Sequence, residues 1–113
     1  MHEQGIVQGM LQVALEQVAE HQASKITALH VEVSALADES EDSLRLYFEM
    51  LTPQTAAEGA QVDIVRVPAP SRCLNCGHEF TRAALDTVCP QCQSARVVVE
   101  PHDEFRLVSI DVE

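Results

Sequence analysis

Two Cys-x-x-Cys pairs constrain this chain more than any other feature of its sequence. Cys73 and Cys76 form the first pair, Cys89 and Cys92 form the second, and twelve residues lie between the pairs. Two residues between paired cysteines allow a tight turn to direct both sulfurs at one ion, and two such turns complete a tetrahedron with Zn–S distances of about 2.3 Å. Gly77 follows the first pair, where the turn needs an unhindered backbone. The spacing therefore predicts a closed structural zinc site on these four cysteines.

Other uses of the cysteines are less favoured. Disulfides are disfavoured because the N-terminal residues lack the pattern of a secretory leader, and a thioredoxin-like redox centre needs only one such pair beside a βαβ unit. A rubredoxin-like iron centre also uses two Cys-x-x-Cys turns, so an iron electron carrier stays open as an alternative. Gln93 rather than glycine follows the second pair, which weakens the iron interpretation.

The charge balance excludes one large class of partner. Seven Lys and Arg stand against eighteen Asp and Glu, which gives a formal net charge of -11. Nucleic-acid binding would require many basic side chains on phosphates, so we expect no nucleic-acid partner. No apolar run reaches the length of a bilayer crossing, so we also expect no membrane partner and a cytoplasmic location.

Hydrophobic periodicity predicts an α+β fold with an inserted metal module. Apolar residues recur at helical spacing from Ile6 to Ala19, alternate from Lys25 to Leu36, and return to helical spacing from Leu44 to Leu51. Further strands are predicted near 62–67 and near 105–112, and the alternation in the second of these is expected to slip at Leu107 and Val108. We expect a small sheet of about three strands packed with two helices, plus a four-cysteine zinc-ribbon module. The predicted domains are residues 1–68 with 104–113, and residues 69–103.

The first three residues form a second candidate metal site. The amine of Met1, the amide nitrogen and imidazole of His2, and a donor near Glu3 can surround one ion in a plane. Planar, nitrogen-rich coordination is typical of Cu(II) or Ni(II). The alternative is a solvated terminal histidine, and the acidic residues at 38–42 are interpreted as a helix cap rather than a ligand set. Of the other histidines, His21 and His30 are expected at the surface and His102 in a loop.

Several segments along the whole chain are similar to the HypA/HybF family of hydrogenase nickel-incorporation proteins. The resemblance rests on Met1-His2-Glu3 before a helix, Ala35-Leu36, Phe48-Glu49, Ala57-Glu58-Gly59-Ala60, the two cysteine pairs with Gly77 and Pro90, and Phe105 to Glu113. Two places depart from the family pattern. Ser34 stands where many members carry glycine, and Pro101-His102-Asp103 replaces a glycine-containing turn.

The resemblance implies a two-domain nickel metallochaperone rather than an enzyme. It implies Ni(II) as transient cargo at His2, with the Met1 amine and Glu3 as additional donors, and structural Zn(II) on the four cysteines. The implied partners are a HypB-type GTPase and the large subunit of nickel-iron hydrogenase, and some members also serve urease maturation. A zinc-ribbon protein adaptor without metal delivery is the competing function.

Overall fold

The structure, a computed structural model, describes the backbone of residues 2–113 and the side chains of residues 3–113. Two helices and six strands follow in chain order: α1 (His2–Glu20), β1 (Ile26–Ser34), α2 (Glu41–Leu51), β2 (Gln61–Val67), β3 (Ala69–Cys73), β4 (Glu79–Arg82), β5 (Val97–Val99) and β6 (Phe105–Val112). The order of helix, strand, helix, strand, cysteine module and strand confirms the predicted α+β fold class. Within the described residues, neither helix is both long and apolar enough to cross a bilayer.

Helix α1 buries the apolar stripe that the sequence predicts. Val7 and Ala14 are fully buried, and Met10, Leu11 and Val18 are nearly so. The helix ends where Gln22 adopts a left-handed backbone with φ 56°. There the amide of Ala23 donates to the carbonyl of Val18 at 3.0 Å, which closes the last turn without a glycine.

Helix α2 begins and ends at residues with clear chemical reasons. The Ser40 side chain accepts a hydrogen bond from the amide of Ser43, so Ser40 is the N-cap and the acidic residues beside it favour the helix N-terminus. Leu44 and Phe48 are the buried residues of this helix. The helix ends at the Thr52 C-cap because the next residue, Pro53, has no backbone N–H to continue the helical hydrogen bonds.

The first sheet has the strand order β2-β1-β6, so β1 is central. Leu29, Val31 and Val33 point into the core, while His30 and Glu32 lie on the opposite face. Along β6, exposed and less exposed residues alternate until Val108 and Ser109, which are both exposed. This break lies one residue beyond the predicted slip at Leu107 and Val108. It resets the alternation of side chains between the two faces of β6.

The second sheet has the order β4-β3-β5, with antiparallel pairing on both sides of β3. Pro70 lies within β3, although a proline cannot donate a hydrogen bond to a neighbouring strand. The strand tolerates this proline near its start, where Pro70 is in register with Thr81 and its carbonyl accepts from the amide of Glu100 at 2.8 Å.

The backbone contacts divide the chain into two compact units. The first comprises the residues up to Glu32 together with 38–65 and 105–113, and the second comprises 33–37 and 66–104. The domain limits at residues 68 and 104 given above remain a prediction.

Candidate metal centre

The four cysteine sulfurs converge in the second unit. Each lies within 4.8 Å of the other three. The Cys73 and Cys92 sulfurs are 3.6 Å apart, and so are those of Cys76 and Cys89. A disulfide would bring two sulfurs to about 2.05 Å, so these contacts are between separate thiols. A tetrahedron with metal–sulfur distances of about 2.3 Å places its sulfurs about 3.8 Å apart, so the cluster has the dimensions of a four-thiolate site.

The two cysteine turns have the same backbone construction. The amide of Gly77 donates to the carbonyl of Cys73 at 2.9 Å, and the amide of Gln93 donates to that of Cys89 at 2.8 Å. The amides of Cys73 and Cys89 in turn donate to the carbonyls five residues ahead, those of His78 and Ser94, both at 2.9 Å. Each turn therefore closes on itself and holds its two sulfurs on one side.

Both turns require a left-handed backbone at the residue after the second cysteine. Gly77 has φ 79° and Gln93 has φ 62°. Glycine adopts this conformation without a steric penalty, whereas glutamine does not. The sequence argument treated Gln93 as a departure from a rubredoxin-like pattern, but the second turn adopts the same shape despite it.

Backbone and amide donors surround the sulfurs. The amides of Asn75 and Cys76 donate to the Cys73 sulfur at 3.3 and 3.4 Å. The hydrogen bond from Cys76, with that from Asn75, lowers the pKa of the Cys73 thiol to about 6. The Asn75 side-chain amide donates to the Cys92 sulfur at 3.5 Å and lowers the pKa of that thiol as well. Such donors stabilise negative charge on sulfur, as a metal thiolate requires.

Cys76 behaves differently in the same cluster. The backbone N–H of His78 favours its thiolate, but partial desolvation and the hydrogen bonds with the neighbouring sulfurs outweigh that donor and raise the pKa of Cys76 to about 12. Four thiolates packed this closely repel one another unless a cation neutralises them. The donor set therefore fits a soft-ligand divalent ion such as zinc, and four protein ligands leave no position for a substrate.

A comparison with known protein families identifies the family of this chain. Residues 1–112 match the family model described as hydrogenase/urease nickel incorporation, metallochaperone, hypA. The chain belongs to the HypA family. This confirms the resemblance proposed from the sequence, and the family is one of metallochaperones and maturation factors.

Named HypA relatives match the chain over its full length. The hydrogenase maturation factor HypA of Azotobacter chroococcum mcd 1 is 36% identical over 113 residues, with both chains covered completely. That of Acidithiobacillus ferrooxidans is 34% identical, also over all of both chains. The solution structure of the Ni metallochaperone HypA from Helicobacter pylori superposes with a TM-score of 0.74 at 28% identity, covering 99% of this chain and 97% of that one.

The N-terminal candidate site of this HypA chain falls largely outside the described residues. Met1 is not among them, and of His2 only the backbone is described, as the first residue of α1. Glu3 lies in the first turn of that helix and is partly exposed. Among the described side chains, the four cysteines are the one group of three or more metal-binding residue types that converges.

Several histidines have contacts that the sequence did not predict. The His78 ring stacks on Phe80 with centroids 5.8 Å apart, and the part of His78 that meets the cysteine cluster is its backbone. His102 lies in a loop, as expected, but its ring contacts Ser34. His30 was interpreted as a plain surface residue, yet it lies between two aspartates from neighbouring strands. No local motif marks the contacts of His30 with Asp111 and of His102 with Ser34, because these partners are distant in sequence.

Proposed function

We propose that this chain carries Ni(II) at its N-terminus and delivers it to the large subunit of nickel-iron hydrogenase during maturation. His2 is the principal nickel ligand, with the Met1 amine, nearby backbone nitrogens and Glu3 as additional donors. The observation that supports this most is the match of residues 1–112 to the nickel-incorporation family. The regular helix from His2 onward also supports the proposal, because a helix can hold Glu3 and the nearby backbone nitrogens in a fixed arrangement.

In this proposal the second unit is a structural zinc module. Cys73, Cys76, Cys89 and Cys92 bind Zn(II), and the 3.6 Å sulfur contacts fit that ion. A closed four-thiolate site gives no open coordination position, so the zinc stabilises structure and catalyses nothing. We propose that the chain is a carrier without enzymatic activity.

The proposed partners and location follow from the delivery role. A HypB-type GTPase assists transfer in the cytoplasm, and urease maturation proteins are further recipients. With a net charge of -11, the surface of the chain is suited to basic partner surfaces and unsuited to nucleic acid.

Nickel titration of zinc-loaded, untagged protein tests the N-terminal site. We expect a square-planar absorption band in the natural chain and its loss in His2→Ala, because the imidazole completes the plane of nitrogens. His21→Ala is the matched control, since His21 is an exposed histidine just beyond the other end of α1. Adding one residue before Met1 should also weaken binding by displacing the amine. Equal nickel binding by the natural chain and His2→Ala would show that the site is elsewhere.

Delivery and the identity of the cysteine-bound metal need separate measurements. Maturation of the hydrogenase large subunit in cells that carry only the His2→Ala chain should stop, while His21→Ala should support it. Metal analysis of the purified protein should find one zinc per chain. A coloured sample that contains iron instead would favour the electron-carrier alternative.

A further inference from the structure

The exposed face of the first sheet carries a histidine whose two ring nitrogens both meet carboxylates. His30, on the central strand β1, places Nδ1 3.2 Å from Asp63 Oδ2 and Nε2 3.0 Å from Asp111 Oδ2. Asp63 lies on β2 and Asp111 on β6, so the three residues span all three strands of this sheet. The Asp63 side chain also accepts from Gln61 at 2.9 Å through its other oxygen, and the backbone carbonyl of Asp111 accepts from Thr27.

The chemistry of these contacts requires a charged ring. An ionised carboxylate only accepts hydrogen bonds, whereas a neutral imidazole has one N–H donor and one bare nitrogen. A neutral His30 would therefore aim a lone pair at one of the two aspartates. With both nitrogens protonated, Nε2 donates to the Asp111 carboxylate, and the positive charge of the ring attracts the Asp63 carboxylate 3.2 Å from Nδ1.

The same geometry argues against a metal ion here. The two aspartates approach opposite edges of the ring, so they do not surround a common point with one ring nitrogen. Among residues 3–113, the four cysteines are the group whose possible ligand atoms lie within 4.8 Å of one another, and this trio does not meet that distance. His30, Asp63 and Asp111 are therefore arranged to hold a proton rather than a metal ion.

We propose that His30 is a proton-binding site that fastens β2 and β6 to β1 while its ring is charged and loosens both strands when the ring becomes neutral. This role does not depend on the proposed nickel site. The hydrogen bond to Asp111 raises the pKa of His30 above its ordinary 6.5; burial opposes this, and the charges of Asp111 and then Asp63 add to it. Since the pKa is raised in the folded chain, the stabilisation is complete below pH 6.5 and is lost as the pH rises through the folded value.

The neighbouring charges on this face are already paired. Glu32 lies two residues along β1 from His30, and its Oε1 is 2.9 Å from Arg106 Nη2 on β6. A permanent arginine ion pair therefore joins β1 to β6 beside the histidine. Only the His30 link changes its charge between about pH 5 and about pH 8.

Nitrogen NMR of the imidazole in the zinc-loaded full chain tests the proposal. We expect His30 to titrate above 6.5, to titrate lower in Asp63→Asn, and lower still in Asp111→Asn, because the Asp111 hydrogen bond is the largest contribution. Glu32→Gln is the matched control, since it removes a carboxylate from the same face without touching His30, and it should leave most of the shift in place. A pKa at or below 6.5 in the natural chain, or an equal drop in Glu32→Gln and Asp111→Asn, overturns the proposal.

Hydrogen exchange tests whether the protonated His30 ring holds the strands together, which its titration alone does not show. Protection of the β6 amides, corrected for the intrinsic effect of pH, should fall as His30 loses its proton. His30→Gln should show no such step, while His21→Gln should retain it. An unchanged step in His30→Gln contradicts the proposal even if the aspartate variants fail to fold.

Discussion

His102 Nε2 lies 3.0 Å from Ser34 Oγ, although 68 positions separate the two residues in the sequence. Ser34 is almost fully buried, with 1% of its surface exposed, so its hydroxyl needs a partner. The other ring nitrogen, Nδ1, lies 3.0 Å from the carbonyl of Glu100, which can only accept. In the neutral ring Nδ1 therefore carries the proton and Nε2 accepts from the Ser34 hydroxyl, so His102 supplies the partner that the buried hydroxyl needs.

A double-mutant cycle on this pair is the first prediction. His102→Ala should destabilise the second unit by about 1–3 kcal/mol, because the buried Ser34 hydroxyl loses its acceptor. In a Ser34→Ala background the same replacement should cost about 1 kcal/mol less. Denaturation of the four zinc-loaded proteins measures the coupling. Additive effects would show that the contact contributes nothing to stability.

The second prediction concerns the left-handed residues of the cysteine turns. Gly77→Ala should destabilise the zinc-loaded protein by about 1–2 kcal/mol, since its φ of 79° is strained for any residue with a Cβ. Gln93→Gly should not destabilise it, because relief of strain offsets the greater freedom of the unfolded chain. Zinc release to a chelator checks this difference: it should be faster than in the natural chain for Gly77→Ala and no faster for Gln93→Gly. A loss of zinc retention in Gln93→Gly contradicts the strain assigned to Gln93.

The third prediction uses two glycines of the first unit that differ in backbone conformation alone. Neither Gly9 nor Gly59 has an atom within 4 Å of an added Cβ. Gly9 lies inside α1, so Gly9→Ala should raise stability by up to about 1 kcal/mol through helix propensity. Gly59 has φ 77°, so Gly59→Ala should lower stability by about 1–2 kcal/mol. Melting temperatures of the two variants should move in opposite directions, and a shared direction would contradict the argument.

The fourth prediction concerns removal of one thiolate. Cys76→Ser leaves three sulfurs, and because zinc binding and folding of such a module are coupled, the second unit should lose most of its amide protection. The first unit has its own core of α1, α2 and the β2-β1-β6 sheet, so its amides should remain protected. Leu74→Ser, which changes an exposed residue inside the same turn, is the control and should retain zinc. Global unfolding of Cys76→Ser would show that the two units are energetically inseparable.

Local patterns explain why much of this fold could be predicted. The period of apolar residues predicted α1 and β1, and the acidic stretch around Ser40 predicted the start of α2. The spacing of Cys73, Cys76, Cys89 and Cys92 predicted a cluster whose sulfurs do converge. In each case the residues that determine the structure are neighbours in sequence, or follow a metal-site spacing.

Pairings between distant residues could not be predicted in the same way. His30 meets Asp111 across 81 positions and Ser34 meets His102 across 68. Such contacts depend on strand register, which a slip of one residue reverses. In β6, Arg106 and Asp111 are five residues apart and would face opposite sides of a regular strand, yet they reach Glu32 and His30 on the same face of β1. The irregular stretch at Val108 and Ser109 makes this possible, and its position was predicted one residue too early.

Helix α1 begins at His2, the proposed nickel ligand, and this affects how the metal could be loaded and released. The first backbone amides of an α-helix have no carbonyl partner within the helix, so their nitrogens are available for other interactions. If nickel binds there as proposed, the metal takes up nitrogens that the helical ladder does not use. The ion can then bind and dissociate while all the backbone hydrogen bonds of α1 remain formed, so metal exchange would not require the helix to unwind.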